Sequence, residues 1–580
     1  MLKQVAALFG ALLFSCAAIA AEKKPFYGDL HLHTGFSFDA WAAMGTRTTP
    51  DDAYRFARGE TVDWQGRRVR RRDPLDFLAV TDHAEFMGVM NQLEDPNSPL
   101  SRNEIGRSFQ ANRATLFNTM FALIFQNRPV PEGLNAPAAM ASAWARQIEA
   151  ANANYRPGKF TTLIGYEWTA QVTSGAYNLH RNVIFNSDRA PLPFSSVDSS
   201  RPEDLWTWLD VLKDQGVEAI AIPHNSNGSG GLMFDWLMGD GRPIDAAYAR
   251  RRAAHEPLIE LVQNKGQSET TPSLSPNDEF ANFEVYDYLI VEGRNGVRSF
   301  VQGSYARQAL GRGLVLGERL GANPFRFGFV GGTDFHNGLS TSREDAYAGG
   351  IFGIDPETTQ PDRETARRVL SPNPIAGAPP DAAWSSGGLT GVWAEENTRP
   401  AIFAALKRRE SFATSGTRLR VRLFGGWSFP ATPFARSNWP DAAQRTGVTM
   451  GSDLPARPAG AAAPRFLLWA AKDPEGADLE RLQIIKVWAK AGDAQEKIFD
   501  VVRAGANPKK TGAAELTADW SDPEFDPALP AVYYLRALEM PTPRWSALLA
   551  GRYSLPPASG VPASIQERGW TSPIWYTPAR

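Results

Sequence analysis

"FYGDLHLHTGFSFDA", Phe26 to Ala40, sets an alternating apolar run before two histidines spaced two residues apart. In an extended strand residues i and i+2 share a face, so His31 and His33 can reach one ion together. The pattern recurs downstream. "DPLDFLAVTDHAEF" delivers Asp82 and His83, "KFTTLIGYEWTA" brings Glu167, and "AYNLHRNVIFN" carries His180. "GVEAIAIPHNSNGSGG" ends at His224, and "FRFGFVGGTDFHNG" at Asp334 and His336. Each sits at or near the end of a short β-branched or aromatic run, as expected of strands that deliver side chains at one end. The seventh histidine, His255, lies in the charged segment "YARRRAAHEP" and reads as a solvated helix residue.

Strands alternating with helical stretches argue for a parallel sheet, and chemistry at many strand ends argues for a barrel. Neighbours on a strand point to opposite faces, so of Asp82 and His83 one ligates and the other supports; Asp82 is the candidate supporting or proton-handling carboxylate. Mixed imidazole and carboxylate sets suit Zn, Mn or Fe and not Ca or Mg. Two such ions, about 3.5 to 4 Å apart, would acidify a bridging water and clamp the oxygens of an ester, which favours hydrolysis. Arg181 and Lys265 are candidate holders of a phosphate or sulfate, with surface charge as the alternative. Asn225 either donates to an oxyanion or caps its loop. The sequence has no nucleophile elbow, P-loop or dinucleotide fingerprint.

The motifs "GDLHLHTGFSFDA", "FLAVTDHAEF", "GYEWT", "IPHNS" and "GGTDFHNG" resemble the polymerase and histidinol phosphatase (PHP) superfamily of metal-dependent phosphoesterases, over roughly residues 26 to 350. With "ALKRRESFATSGTRLRV" and "YYLRALEMPTPRWS", the whole chain resembles a secreted branch of that superfamily, the domain of unknown function 3604 family. The resemblance implies a distorted (β/α)7 barrel with two or three divalent ions in its mouth. One ion would take His31, His33, Glu167 and Asp334. Glu167 would bridge to a second held by His180 and His224, and a third would sit between Asp39, His83 and His336. His180 departs from the usual pattern, and its alternative is a hydrogen-bonded core histidine. Catalytic roles fall to Glu167, Asp82 and Arg181, and substrate contacts to Arg181, Asn225 and Lys265.

At 580 residues and 43% hydrophobic content the chain is too long for one ordinary domain. Residues 1–21 read as a signal peptide, with Lys3, an apolar run from Val5 to Ala21 and the small-residue pattern Ala18-Ile19-Ala20. That run is shorter than a spanning helix, so no stable membrane insertion is expected. The location is then periplasmic or secreted. Cys16 is the only cysteine, and Leu13-Phe14-Ser15-Cys16 only loosely resembles a lipobox. Cleavage after it leaves a mature chain without disulfides. The barrel is expected over 22–416, with a helical insertion at about 84–160 covering the mouth and a Pro/Gly-rich linker at 371–388. A short helix begins at Pro400. Alternating runs over 417–580 predict a small β-sandwich, whose tryptophans pack a core or form a sugar platform.

A net charge of -2 gives no footprint for nucleic acid, and "RRVRRR", Arg67 to Arg72, reads as a solvated loop. The expected activity is an exported hydrolase of phosphate mono- or diesters on a small molecule or glycan. Sulfate-ester hydrolysis on the same site, and a non-catalytic binding protein stabilised by metal, are the alternatives. Oligomeric state is not legible.

Overall fold

The computed structural model describes residues 22–112, 119, 122–123, 134, 136–172, 177–289, 296–347, 362–505 and 511–579. The expected signal peptide and part of the 84–160 insertion lie outside them. Among the described residues no helix is long and apolar enough to cross a membrane.

In the first half of the chain the elements are β1 (Lys24–Asp29), α1 (Pro50–Ala57), β2 (Thr61–Trp64), β3 (Arg67–Arg70), β4 (Phe77–Val80), α2 (Pro137–Asn154), β5 (Thr161–Trp168), β6 (Arg181–Phe185), α3 (Pro202–Asp214), β7 (Ala219–Pro223), α4 (Ala246–His255) and β8 (Leu258–Gln263). They continue with α5 (Ala306–Leu320), β9 (Gly328–Gly331), β10 (Leu389–Ala394), α6 (Arg399–Lys407) and β11 (Ser411–Thr414). The C-terminal part adds β12 (Arg420–Gly426), β13 (Arg465–Ala471), β14 (Leu479–Lys490), β15 (Asp493–Arg503), β16 (Glu515–Ser521), β17 (Ala531–Glu539), β18 (Arg568–Thr571) and β19 (Ile574–Tyr576).

A 12-stranded sheet runs β15-β14-β17-β18-β11-β10-β1-β4-β5-β6-β7, with β19 on β17. It is mixed, not parallel. β1, β4 and β5 are parallel neighbours, but β6 runs antiparallel to both β5 and β7. The connection from β5 to β6 is only Thr169 to His180 and carries no helix among its described residues, and such a short return permits only antiparallel pairing. β8 and β9 pair in parallel in a separate three-stranded sheet. A parallel bridge between Leu32 and Phe335 ties the chain after β9 to the chain after β1. These seven strands, β1 and β4 to β9, thus belong to two sheets joined by that bridge, with no ladder between β7 and β8 among the described residues.

Helices cover the outer face. α2 turns Ala143, Trp144, Gln147 and Ala151 inward at helical spacing. The Gln147 amide donates to the carbonyls of Val80 and Gly165, at 3.0 and 2.8 Å. The best-described helix of the expected insertion therefore backs the sheet rather than covering the mouth. α6 starts where expected, with the Thr398 hydroxyl accepting from Ala401 N–H.

Three other expectations change. The segment 371–388 is a loop, but its last four residues run into the interior: Ser385 N–H donates to Asn264 O at 2.7 Å and Gly388 N–H to Gly332 O at 2.8 Å. The "RRVRRR" run is half of a hairpin, β2 against β3. The main sheet also continues through residue 417, since β11 pairs with β18. A second sheet, β12-β13-β16 with the short strand Val448–Thr449, packs over the C-terminal strands through Leu423, Phe466, Leu482 and Tyr533. The fold is thus α/β with a sandwich-like end that shares its main sheet with the rest. Trp570 and Trp575 are buried in cores rather than displayed.

Candidate metal centre

Eight of the candidate ligands arrive from six strand ends, and Asp39 from the short helix Phe38–Ala42. His31 and His33 follow β1, His83 follows β4, Glu167 lies near the end of β5, His224 follows β7, and Asp334 and His336 follow β9. His180 precedes its strand, yet reaches the same end because β6 is reversed.

Three groups of donor atoms, each within 4.8 Å of one another, result: His31, His33, Glu167 and Asp334; Glu167, His180 and His224; and His33, His83 and His336. Glu167 joins the first two. Its Oε2 lies 3.2 Å from His31 Nε2 and 3.1 Å from His33 Nε2, while its Oε1 lies 2.7 Å from His180 Nδ1 and 3.3 Å from His224 Nε2. Asp334 Oδ1 closes the first group at 3.3 Å from both His31 Nε2 and His33 Nε2. Asp39 Oδ2 stands beside the third, 3.2 Å from His83 Nε2 and 3.1 Å from His336 Nε2.

In four of these rings the other nitrogen is held by a neighbour. His31 Nδ1 lies 3.0 Å from Glu260 Oε2, His33 Nδ1 2.9 Å from Ser37 Oγ, His83 Nδ1 2.5 Å from Thr169 Oγ1, and His336 Nδ1 2.9 Å from the Asp334 carbonyl. Such partners fix the ring and its tautomer and leave the other nitrogen's lone pair facing inward. Several ring nitrogens then have nothing to bond, His33 Nε2 and His224 Nε2 being the ones that face Glu167. His33 Nε2, one nitrogen of His180 and both nitrogens of His224 are buried without a hydrogen-bond partner among the described residues. Orphaned imidazole nitrogens converging with carboxylates fit divalent transition-metal ions and fit little else.

Electrostatics agree. Burial holds His31 and His33 well below the ordinary imidazole range, and the imidazoles beside them push the same way. Burial likewise lowers His180 to about 4, and lowers His224 and His336. His83 is the exception: burial opposes its charge, but Asp39 and Glu167 raise it to about 9. Burial and the nearby Asp29 push the Glu260 carboxyl well up.

Asp82 serves the loop. It accepts from Thr34 N–H and Thr34 Oγ1, both at 2.6 Å, and from Ser37 Oγ at 2.7 Å, which fixes the turn after His33. Lys265 is at the site, with Nζ on Asp334 Oδ2 and burial pulling it down to about 8. Asn225, in left-handed backbone at φ 51, accepts from Gln263, which also donates to Asp334 at 2.8 Å. Arg181 is not brought to the cluster. His180 faces the site, so its strand neighbour faces away, and Arg181 donates to Glu256 at 2.9 Å behind the sheet. His255 is not solvated: it is buried, with Nε2 2.7 Å from Asp210 on α3.

Sequence reasoning passed over Glu260, whose signal was a lone carboxylate in the apolar strand "LIELVQ". It also passed over Gly332. A Cβ there would collide with Glu260 and come within 2.8 Å of the His31 Cβ, so only glycine lets β9 approach the ligands this closely.

A fold of strands converging on buried imidazoles and carboxylates defines a protein with a candidate metal centre. The chain belongs to the family described as protein of unknown function DUF3604, whose model matches residues 20–510 and 502–578. No curated protein matches it. Among solved structures it is similar to a two-domain protein containing a predicted PHP-like metal-dependent phosphoesterase from Bacteroides vulgatus ATCC 8482. The two share 12% identity with a TM-score of 0.31, over 88% of this chain and 90% of that one.

Proposed function

We propose that this chain is an exported metal-dependent hydrolase of phosphate esters, working with two or three ions of Zn, Mn or Fe. The observation that carries the reading is Glu167, whose two oxygens face two separate sets of histidines. A structural site closes with four ligands around one ion, whereas here a single carboxylate is shared and eight other candidate ligands surround it.

In this reading His31, His33, Glu167 and Asp334 hold one ion, and Glu167, His180 and His224 a second. Asp39, His83 and His336 would hold a third. Bound ions would supply Lewis acidity, acidifying water and drawing charge from the ester oxygens. The protein's own part is orientation. Glu260, Ser37 and Thr169 keep the rings aimed, and burial of the cluster keeps bulk water from competing. The Lys265 ammonium, on Asp334 Oδ2 at the edge of the cluster, would stand beside the ions as a donor to an anionic ester oxygen. Asn225 is held by Gln263 at the same edge. Export rests on the N-terminal apolar run and its small-residue cleavage pattern.

The test is elemental analysis of the mature chain reconstituted with Zn and Mn, together with turnover of an aryl phosphate and an aryl sulfate. Two or more ions per chain with phosphate turnover are expected. Fewer than one ion, or turnover of the sulfate alone, defeats the proposal.

A further inference from the structure

The arginine run that read as a solvated loop instead lines a cavity. The cavity, about 260 Å³, lies between β3 with its following turn and the segment 341–346, a few residues past His336. Arg68, Arg70, Arg71, Arg72 and Arg343 all line it, against a single acid, Asp73.

The cations divide into two kinds. Arg72 and Arg343 are already matched, since both reach Asp345 at 3.1 Å and Asp73 and Glu475 within 4 Å. Arg68 and Arg70 are alternate residues of β3 and so project from one face. Neither has an ion pair or hydrogen bond among the described residues, and Asp63, opposite Arg68 on the hairpin, accepts instead from Gly66 N–H. Arg71 is 6% exposed and bonds only neutral carbonyls, Nε to Asp73 O at 2.7 Å and Nη1 to Ser340 O. No carboxylate stands within ion-pair distance of it among the described residues. A buried guanidinium without a counter-ion is costly. Burial, with Arg418 nearby, accordingly pulls Arg71 down to about 9.

We propose that this cavity is an oxyanion-binding site, separate from the metal centre, in which Arg68, Arg70 and Arg71 take one phosphate or sulfate group. Guanidinium forks match the paired oxygens of such groups, and three unmatched forks around one cavity give both the charge and the donors. The volume admits a tetrahedral anion with several waters. The site also touches the ligand scaffold. Ser340, whose carbonyl holds Arg71, donates its hydroxyl to Asp29 at 2.7 Å, and Asp29 accepts from His31 N–H at 3.0 Å. The anion arrives either as a free ion or as a second charged group of a larger ligand.

The test is calorimetric titration of the mature, metal-loaded protein with sodium sulfate against sodium chloride at equal ionic strength. Saturable one-to-one binding of sulfate is expected, weakened at least tenfold in R68A/R70A, whose surface strand positions leave the fold intact, and unchanged after chelation removes the metals. R71K, which keeps charge but loses the fork, should weaken it as well. Absence of saturable binding, or binding lost on chelation and indifferent to R68A/R70A, overturns the site. Repeating the titration with inorganic phosphate and glucose 6-phosphate separates the sources. Tighter, arginine-dependent binding of the sugar phosphate supports a substrate's second anion, and equal or weaker arginine-dependent binding supports a free ion.

Discussion

Two buried charge clusters in this molecule are built on opposite plans. In one, Glu269 and Asp278 meet Arg307 of α5 and Arg536 of β17. Arg536 Nη2 lies 2.7 Å from Asp278 Oδ1, Arg307 Nη2 lies 2.8 Å from Asp278 Oδ2, and Tyr534 OH and Trp570 Nε1 donate to Glu269, both at 2.7 Å. Two carboxylates face two guanidiniums, so the junction between the two ends of the main sheet is self-sufficient. Around Glu167 the carboxylates Asp39, Glu167, Asp334 and Glu260 face imidazoles and the single ammonium of Lys265, and imidazole nitrogens are left without partners. Burial penalises unmatched polar groups heavily. The first cluster is complete as it stands, and the second asks for cations from outside.

The sharpest way to break that contrast is Glu167→Gln. The change keeps size but removes the charge shared between two sets of histidines, so turnover should fall about a thousandfold or more, roughly 4 kcal/mol of barrier. Metal content should drop with it, and melting temperature measured without metal should change little. His31→Ala should behave in the same way. Full ester hydrolysis by Glu167→Gln would end the shared-carboxylate reading.

Arg536→Met tests the other side. It leaves Glu269 and Asp278 buried with one guanidinium between them, which should cost about 3 kcal/mol of stability. Rate per folded molecule and metal content should stay near wild type. A large loss of activity with intact stability would show that the two clusters do not act separately.

Acidity sharpens the contrast further. His83 is raised from its ordinary value to about 9, burial opposing and Asp39 and Glu167 prevailing. The folded, metal-free protein therefore holds a proton that the unfolded chain releases. That contribution is fully present below about pH 6.5 and fades as pH rises through about 9. An ion competes with that proton, so the gain in melting temperature on adding Mn should grow between pH 6.5 and 9. Glu269 and Asp278 are shifted the other way: burial opposes, Arg536 and Arg307 prevail, and the carboxyls sit below their ordinary range. Their contribution is lost only in acid, so the Arg536→Met deficit should stay constant over pH 6.5 to 9. Thermal melts with and without Mn at both pH values check this, and a metal gain that is flat or falling with pH contradicts it.

Much of the centre was legible because the H-x-H and D-x-H spacings are local and period two fixes their faces. The same rule already placed Arg181 opposite His180, and reading its charge as a substrate contact ignored it. The hairpin at "RRVRRR" had a local signal as well: Gln65 and Gly66 adopt φ of 51° and 78°, the left-handed pair a tight two-residue turn needs. Other features had no local signal. The reversal of β6, the burial of 385–388 and the continuation of the main sheet past residue 417 depend on pairings between distant segments.

His255 is the smallest case and isolates the principle. Its neighbours Arg250, Arg251 and Arg252 suggested solvent, but Asp210, 45 residues earlier on α3, takes its Nε2 and also accepts from Arg251 at 2.8 Å. Burial lowers the imidazole's pKa, so the ring is held as a neutral hydrogen-bonding group at the end of α4, remote from the orphaned nitrogens of the centre. His255→Ala removes one hydrogen bond and some packing, while Asp210 keeps Arg251 and access to water. The loss should be about 1 kcal/mol, and a degree or two of melting temperature in a protein of this size. Metal content and rate should match wild type within about twofold, because His255 pairs with Asp210 outside the cluster of imidazoles and carboxylates and contributes to folding alone. If elemental analysis of His255→Ala showed fewer ions than wild type, the residues gathered around Glu167 and Asp39 would not by themselves account for the ions bound.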